Sequence, residues 1–500
     1  MILSRQNIEL SPPPIDVPSK DYFNLPEKVL QFGTGVLLRG LPDYFIDKAN
    51  KKNVFNGRIV VVKSTGKGRI EEFGQQDSMY TLCIKGIEKG IVINQKFLNA
   101  SISRVLSASE DWDSILKFAK STELEIVLSN TTEVGLTEVE GENIFAKPPI
   151  SFPGKLLAVL YQRFVFFNGA SDAGLVIIPT ELLPENASIL REILINLAKK
   201  NQMPEAFGRW ITHHNYFCNS LVDRIVPGRL PEAERKLVEK DLGYEDHLMI
   251  MAEPYRLWAI ESSNNSVLER LSFAQADQGV VISPNIHKFR ELKLRLLNGS
   301  HTLNCGLAVL CGFITVKDAM ADPVFIRFVK RLMFDEIAPV VAGTNISLDE
   351  AIQFGEAVLE RFQNPFIEHH WLSIALHYTS KMRMRNIPIL QKYPAKGKAV
   401  PPCIAFGFAG YIRFMKSRKH VENYIGNNGQ IDFQINDDKA GILYEKWSCT
   451  QAEKVVPSVL GDEELWGTNL ADLAGFSDNV TKSLLLIDSI GAKKALESLF

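Results

Sequence analysis

Short apolar runs alternate with amphipathic stretches through the first part of the chain. The apolar runs occupy 29–32, 59–62, 125–129 and 174–178. Each has the length and residue content of a buried strand. Helical spacing of apolar positions follows the first run from Leu37 to Ile46, and it recurs from Trp112 to Ala119. Strands alternating with helices predict a parallel sheet with crossover helices. The runs 80–84 and 91–93 predict a hairpin.

The pattern changes after about residue 275, where helical periodicity dominates. The helical stretches cover 285–316, 324–342, 348–362 and 367–384. We therefore predict an α/β fold with three parts. They are a Pro-rich polar arm over 1–26, a doubly wound nucleotide-binding domain over 27–283, and a mainly helical substrate or catalytic domain over 284–500.

Composition narrows the class of protein. The chain has 500 residues, of which 46% are hydrophobic and 23% are charged, and a net charge of -2. These values are typical of a soluble globular protein and give no general attraction to nucleic acid or anionic membranes. No apolar run reaches membrane-spanning length. We expect a cytoplasmic enzyme, and a small anionic substrate would need a local basic pocket. The oligomeric state, monomer or small homo-oligomer, is not readable.

Metal binding is not expected. The six cysteines contain no CxxC pair, which is typical of reduced thiols. His369 and His370 adjoin each other, and His370 and His377 fall on one face of a predicted helix. No acidic partner at a familiar ligand spacing accompanies them.

The first predicted strand ends in a glycine turn. Phe32 is followed by Gly33 and Gly35, and a helix begins there. Such a turn lets backbone N–H groups approach a pyrophosphate. Leu38 stands where the full dinucleotide pattern has a third glycine, so an ordinary strand–helix turn is an equal alternative. Arg39 could reach a phosphate or carboxylate, or be a surface charge.

The second predicted strand ends without the acidic residue that usually binds the ribose hydroxyls. Ser64 or Thr65 could bind a hydroxyl instead. Lys63, Lys67 and Arg69 could accept a 2′-phosphate. These residues leave the choice between NAD and NADP open.

Polar loops follow the next two predicted strands. Asn130 and Thr131 could contact the cofactor ribose or nicotinamide, or cap a turn. Asn186 could form an oxyanion pair with Asn298, and Glu181 could face ribose or substrate hydroxyls. A turn with a helix cap is the alternative for both.

Two charged pairs are candidates for substrate contact. Asp223 and Arg224 lie within an apolar run, so a buried salt bridge is as good a reading as a catalytic role. Lys381 and Arg385 are four residues apart and share a helical face. Two such cations could clamp a substrate carboxylate, or they could form a solvated face.

The run 291–301 contains Lys293, Asn298 and His301. At 100° per residue of α-helix, His301 lies about 80° and Asn298 about 140° from Lys293. One arc then presents an amine, an amide and an imidazole. These groups suit carbonyl–alcohol interconversion, because an amine can transfer the hydroxyl proton while the others hydrogen-bond the oxygen. The alternative is that Lys293 and Arg295 are solvated charges and Asn298-Gly299 is a helix break.

Taken together, these segments resemble the long-chain mannitol dehydrogenase family of polyol and sugar-acid dehydrogenases. The resemblance covers nearly the whole chain and culminates in Lys293-x4-Asn298-x2-His301. It also includes LQFGTGVLLRG at 30–40, QDSMYTL at 76–82, SNTTE at 129–133, VDRI at 222–225 and EPYR at 253–256.

The resemblance implies a Rossmann-like N-terminal domain, a mainly helical C-terminal domain, and NAD(H)-dependent, metal-independent reduction of tagaturonate to altronate in hexuronate catabolism. Lys293 would be the general acid/base, and Asn298 and His301 would polarise the carbonyl. Asn186 would match a second oxyanion amide and Asp223 an acidic partner near Lys293. Fructuronate/mannonate or mannitol-type turnover, or a non-catalytic sugar- or nucleotide-binding regulator, are the alternatives.

Overall fold

The computed structural model describes residues 1–10, 13–64, 70–131, 135–395, 401–449 and 452–500. The chain divides into two compact units. Unit 1 comprises Met1–Lys85 and Val92–Ile286, and unit 2 comprises Gly86–Ile91 and His287–Phe500. Within the described residues, no helix combines the length and apolar character that crossing a membrane requires.

Unit 1 contains helices α1 to α10 and strands β1 to β12, except for the ends of β3 and β4 within Gly86–Ile91, which belong to unit 2. The strands are β1 Glu27–Phe32, β2 Arg58–Lys63, β3 Tyr80–Glu88, β4 Ile91–Asn99, β5 Ile102–Ser107, β6 Ile126–Ser129, β7 Val176–Pro179, β8 Tyr216–Phe217, β9 Ser220–Asp223, β10 Ile250–Ala252, β11 Leu257–Glu261 and β12 Val280–Ser283. The helices are α1 Arg5–Leu10, α2 Val36–Gly40, α3 Pro42–Lys51, α4 Glu71–Gln75, α5 Trp112–Phe118, α6 Phe152–Phe166, α7 Asn186–Lys200, α8 Glu205–His214, α9 Glu232–Leu242 and α10 Asn265–Arg270.

The main sheet of unit 1 has six parallel strands in the order β5-β2-β1-β6-β7-β8. Successive residues of β2 enter opposite cores: Ile59 and Val61 pack on one face, and Val60 and Val62 on the other. A sheet covered on both faces requires continuous apolar strands. The predicted doubly wound fold is thereby confirmed.

The predicted hairpin is also present, as β3 and β4 with a turn at Lys89 and Gly90. Both turn residues have positive φ, 53° and 75°, as a tight hairpin requires. A three-stranded sheet of β9, β11 and β12 was not predicted. Near the N-terminus, α1 packs on unit 1 through Ile8, and Leu3 is fully buried.

Unit 2 is mainly helical, as predicted. Its helices are α11 His287–Leu292, α12 Ser300–Leu310, α13 Val316–Ala321, α14 Pro323–Arg331, α15 Ala338–Val341, α16 Leu348–Phe362, α17 Trp371–Ile374, α18 Tyr378–Ala395, α19 Pro402–Phe414, α20 Ala440–Cys449, α21 Ala452–Leu460, α22 Glu463–Trp466, α23 Phe476–Ile490 and α24 Ala492–Glu497. An antiparallel sheet that the periodicity did not predict adds β13 Ser417–His420, β14 Asn423–Asn427 and β15 Asp432–Ile435.

Two helical predictions in unit 2 were wrong in detail. The single helix predicted over 367–384 is broken between α17 and α18, where His377 adopts a φ of 53° and donates its N–H to Asn436 O. His370 and His377 therefore do not share a helical face. Between α11 and α12 the helix widens to a π-helix over Lys293–Gly299.

Candidate active site

The carboxyl ends of β1 and β6 lie side by side in unit 1. Phe32 is in register with Ser129, and Asn130 N donates to Phe32 O at 3.2 Å. The chain runs from β1 outward to β2 and β5, whereas β6 leads the other way to β7 and β8. Such a change of direction is where doubly wound sheets bind ligands, outside the carboxyl ends of the strands. This edge is the candidate dinucleotide site.

The turn after β1 depends on Gly33. Its φ is +127°, and an added Cβ would lie 3.2 Å from Asn130 O and 3.0 Å from Leu38 Cδ1. Gly35 has an ordinary φ of -62°, and nothing lies within 4 Å of the position of its absent Cβ. Gly33 is therefore needed for the turn itself, whereas Gly35 leaves open space through which a phosphate could approach the backbone.

Arg39 is not a surface charge, and its contacts do not favour the phosphate or carboxylate contact that the sequence also suggested. The side chain is buried, Nη1 donates to Leu248 O at 2.7 Å, and the guanidinium lies over the rings of Phe73 and Tyr80. Burial lowers the pKa of Arg39. This geometry favours a structural role inside unit 1 over a phosphate contact.

Ser64 follows directly after β2. Its Oγ is buried and has no hydrogen-bond partner among the described residues. A buried hydroxyl without a partner is unusual and indicates a site where a ligand or water completes the hydrogen bonding. Thr65, Lys67 and Arg69, named above for the ribose or its phosphate, lie outside the described residues.

Glu181 organises the loops after β6 and β7. One carboxylate oxygen accepts Thr131 N at 2.8 Å and Thr131 Oγ1 at 3.1 Å, and the other accepts Ser129 Oγ at 3.2 Å. Asn130 Nδ2 donates to Thr180 O at 3.0 Å and to Thr180 Oγ1 at 2.9 Å. Burial raises the pKa of Glu181, and the hydrogen bonds from Thr131 and Ser129 oppose that rise. Asn130 and Thr131 are thus held at the candidate dinucleotide site, and Glu181 acts as their internal brace.

Asn186 is fully buried, and its amide already has internal partners. Nδ2 donates to the carbonyls of Pro179, Glu181 and Ser220 at 3.0 to 3.1 Å, and Oδ1 accepts Ser220 N. An oxyanion donor needs a free N–H. The geometry therefore favours a structural role over the predicted substrate contact.

Asp223 is buried at the end of β9. The adjacent Arg224 donates to the carbonyls of Glu253 at 2.9 Å and Gly40 at 2.6 Å, and its guanidinium lies over the ring of Tyr44 at 4.8 Å. Burial lowers the pKa of Arg224 to about 10. Arg224 is consequently a structural residue, and a contact between Asp223 and substrate stays a prediction.

In unit 2, Lys293 and Asn298 lie on the π-helix. A π-helix forms i→i+5 hydrogen bonds and commonly marks a functional site. The 100° spacing used above therefore does not hold across Lys293–Gly299, and the predicted angular positions are wrong. Gly299 does not end the helix. Instead it allows close approach of α18, since an added Cβ would lie 3.0 Å from Asn386 Oδ1.

Asn298 and Lys293 are both partly exposed, and the two ends of Asn298 differ. Its carbonyl accepts Thr302 Oγ1 at 2.7 Å, within the helix. Among the described residues nothing hydrogen-bonds its side-chain amide, which is therefore available to a ligand. An available amide donor is what stabilisation of a developing oxyanion requires.

His301 begins the first turn of α12 and is 9% exposed. Its ring is parallel to that of Phe362 with centroids 4.0 Å apart, and the ring of Trp371 lies at 5.6 Å. Nε2 has no hydrogen-bond partner among the described residues. Burial lowers the pKa of His301 well below its usual value, and His369 and nearby cations add to that effect. His301 is therefore a neutral imidazole held by stacking.

Positive charge surrounds His301. Arg385, Arg361 and Lys381 each disfavour its protonation. Lys381 Nζ donates to Ile374 O at 2.9 Å, and Arg385 Nη1 donates to Thr302 Oγ1 at 2.9 Å. Burial lowers the pKa of both side chains, that of Arg385 to about 10, and Arg385 also lowers that of Lys381. Partly buried cations close together favour binding of an anion.

Sequence reasoning missed two members of this surrounding group. His369 meets the ring of His301 edge-on at 5.3 Å, although the sequence suggested it only as a metal ligand. Arg361 lies one residue before Phe362, and its position in the predicted helix did not indicate that it would be near His301. No group of three or more His, Cys, Asp and Glu side chains that could hold a metal ion occurs in the described parts of the chain.

Comparison with known proteins decides the family. Residues 27–272 match the model described as the mannitol dehydrogenase Rossmann domain, and residues 285–488 match the mannitol dehydrogenase C-terminal domain. The chain belongs to the mannitol dehydrogenase family. It is therefore an oxidoreductase that acts on CH–OH groups.

Several relatives are similar over nearly their whole length. An altronate oxidoreductase of Bacillus subtilis (strain 168) is 36% identical over 480 residues, which cover 95% of this chain and 96% of that protein. An altronate oxidoreductase of Halalkalibacterium halodurans is 37% identical over 482 residues, covering 94% and 93%.

Solved structures agree on the fold. A ternary complex of Pseudomonas fluorescens mannitol 2-dehydrogenase with NAD and D-mannitol is 22% identical, with a TM-score of 0.70 and coverage of 100% and 99%. A substrate-free D-sorbitol dehydrogenase is 21% identical, with a TM-score of 0.77 and coverage of 99% and 100%.

The neutral state of His301 predicts a specific pH dependence of stability. The folded protein leaves His301 unprotonated where an unfolded chain, with a His pKa near 6.5, binds a proton. Stability should therefore fall as pH drops below about 6.5, by at most about 1.4 kcal/mol per pH unit from this residue. His301→Gln should lack this component when denaturant unfolding is followed between about pH 7.5 and about pH 5.5.

His370→Gln is the matched control. Because His370 is exposed, this variant should keep the wild-type dependence of unfolding free energy on pH. Parallel curves for wild type and His301→Gln would show that His301 titrates normally in the folded protein.

Proposed function

We propose that this protein catalyses the reversible, NAD(H)-dependent reduction of D-tagaturonate to D-altronate. One observation carries the proposal: a neutral His301, whose Nε2 has no partner within the described parts of the chain, lies close to the cations Lys381 and Arg385. The near full-length similarity to altronate oxidoreductases supports the same substrate.

The chemistry assigned to each residue follows from its donor groups. A bound dinucleotide would supply the hydride that the keto carbon of the substrate accepts. Lys293 protonates the alkoxide oxygen that forms, and it removes that proton in the reverse direction. Asn298, with its available amide, and the neutral imidazole of His301 donate hydrogen bonds to the same oxygen. A neutral His301 can donate a hydrogen bond to this oxygen while keeping its own proton, so Lys293 alone transfers a proton.

A sugar acid is favoured over a neutral polyol by the charge around His301. Burial lowers the pKa of Lys381, and the positive charge of Arg385 lowers it further. A bound carboxylate would relieve that repulsion and form charge-assisted hydrogen bonds. A neutral polyol would leave the two cations uncompensated. This difference makes mannitol-type turnover the weaker alternative.

The carboxyl edge of the main sheet fits a dinucleotide. The Gly33 turn and the open space at Gly35 suit a pyrophosphate, and Asn130 and Thr131 are fixed beside it. The Ser64 hydroxyl, which has no partner among the residues that the structure describes, suits a ribose oxygen. NAD(H) is proposed as the preferred cofactor, and comparison of KM for NADH and NADPH tests that preference.

Lys293→Met should abolish turnover while leaving NADH binding intact. Removal of a general acid/base costs about 10²- to 10⁴-fold in rate, so kcat for tagaturonate should fall by about that factor. Fluorescence titration should give an NADH dissociation constant within about two-fold of wild type, since no uniform binding is removed. Lys288→Met, on α11, is the control and should retain turnover. Ordinary turnover by Lys293→Met would refute the assigned role.

Lys381→Met should raise KM for a uronate more than KM for a neutral polyol. Loss of one charge-assisted hydrogen bond predicts an increase of about ten-fold or more for the uronate. Arg385→Ala should act in the same direction but also breaks contacts with Thr302 and with the carbonyl of Asn298, whereas the bond that Lys381→Met loses, to Ile374 O, lies outside the proposed catalytic segment, so Lys381 is the cleaner test. Arg383→Met, exposed on the same helix, is the control. Equal effects on acid and polyol would reject the carboxylate clamp.

Gly33→Ala and Gly35→Ala should separate folding from cofactor binding. Alanine at Gly33 is strained at φ +127° and should lower the melting temperature. Alanine at Gly35 meets no atom within 4 Å, so the melting temperature should hold while NADH binding weakens, because the added methyl obstructs approach to the backbone. Undiminished NADH affinity of Gly35→Ala would place the pyrophosphate elsewhere.

A further inference from the structure

Two arginines connect the π-helix and α18, and each donates hydrogen bonds to the other helix or to the start of α12. Arg295 is buried and Arg385 is half-buried. Arg295, on the π-helix, donates through Nη1 to Met384 O at 2.8 Å and to Arg385 O at 2.9 Å. Arg385, on α18, donates through Nη1 to Thr302 Oγ1 at 2.9 Å and to Asn298 O at 3.5 Å. We call this pair of contacts the arginine clasp.

The sequence of α18 explains why Arg295 is needed. Pro388 lies within the helix and has no N–H, so the carbonyl four residues earlier, that of Met384, loses its helical donor. The guanidinium of Arg295 supplies a donor at that carbonyl and also at the next one. The π-helix thus contacts α18 at the turn where Pro388 interrupts the helical hydrogen bonds.

Arg295 is itself fixed in place. Its Nε and Nη2 form a fork on the two carboxylate oxygens of Glu291, at 3.3 and 3.1 Å. Residue 295 is 7% exposed. A guanidinium held on three sides has a defined direction, which a flexible ammonium would lack.

The clasp joins the two sets of residues that the proposed reaction uses. Arg295 lies between Lys293 and Asn298 in the sequence, and one of the carbonyls to which it donates is that of Arg385. In return the Arg385 side chain contacts the carbonyl of Asn298. A displacement of α18 would therefore shift the cations relative to the proton donor and the oxyanion amide.

We propose that Arg295 is a positioning residue that sets the placement of Lys381 and Arg385 relative to Lys293 and Asn298. The inference rests on the proposed function for its catalytic consequence, while its structural part, the hold on α18, is independent of any substrate. Arg295 is not placed in contact with substrate. It acts through the backbone of α18.

Arg295→Met tests the proposal with two readouts. Hydrogen exchange of backbone amides over 382–392 should become faster, because the broken turn of α18 loses its donor. KM for the sugar acid should rise by about ten-fold or more while KM for NADH changes less than about two-fold, since a misplaced site loses binding that depends on geometry. A variant that only reduced the folded fraction would lower the maximal rate and leave KM for the sugar acid unchanged.

Arg295→Lys and Arg383→Met complete the experiment. Lysine keeps the charge, but its single ammonium cannot both replace the fork on Glu291 and reach the two carbonyls that Nη1 contacts, so it should restore less than about half of the lost kcat/KM. Arg383→Met removes an exposed arginine of α18 and should match wild type in both readouts. Full rescue by Arg295→Lys, or unchanged exchange and KM in Arg295→Met, would overturn the proposal.

Failure of the proposed function is recognisable separately. If wild type turns over another sugar acid or polyol, the KM comparison is made on that substrate. If wild type turns over none, the proposed function fails, and hydrogen exchange alone decides whether Arg295 holds α18.

Discussion

The π-helix over Lys293–Gly299 is the constraint on which the unit 2 site depends. Its i→i+5 hydrogen bonds set the directions of Lys293 and Asn298, and it ends where α12 presents His301. Gly299 lets α18 approach, and Arg295 holds α18 at the carbonyls near its proline. One short segment therefore carries the proposed proton donor, the proposed amide donor and the residue that holds α18.

Burial explains the chemistry at His301. An imidazole stacked on Phe362 and surrounded by cations stays neutral, so in the proposed reaction it would donate a hydrogen bond without exchanging a proton. The same burial makes Lys381 and Arg385 costly to keep charged without an anion nearby. A substrate carboxylate is the simplest group that satisfies these cations, which is why the site suits a sugar acid.

The sequence predicted the fold well because β-branched runs such as 59–62 and strand–helix alternation are set by local pattern. It also singled out Lys293, Asn298 and His301, whose spacing resembles that of the family, and their catalytic roles stay a proposal. It could not predict the π-helix, because widening by one residue leaves the apolar periodicity almost unchanged.

Long-range partners explain why the structure favours roles for some residues that the sequence did not indicate. Arg39 was expected at a phosphate or the surface, but a carbonyl more than 200 residues later, that of Leu248, binds it inside unit 1. Asn186 was expected at an oxyanion and instead joins β7 to β9. Arg295 was a solvated charge only in the alternative interpretation of its segment, and the turn before Pro388 gives it carbonyl acceptors in α18. The Leu248 carbonyl, the Ser220 backbone and the Met384 carbonyl lie 209, 34 and 89 residues from Arg39, Asn186 and Arg295, where local pattern carries no information.

The most direct measurement is the rate of NADH formation by the wild-type protein with D-altronate, D-mannonate and D-mannitol, each with NAD⁺ and with NADP⁺. The account predicts the highest kcat/KM for D-altronate with NAD⁺ and only weak turnover of the uncharged mannitol. A preference for mannitol over both acids would contradict the assignment of Lys381 and Arg385 to a carboxylate and, with it, the proposed substrate.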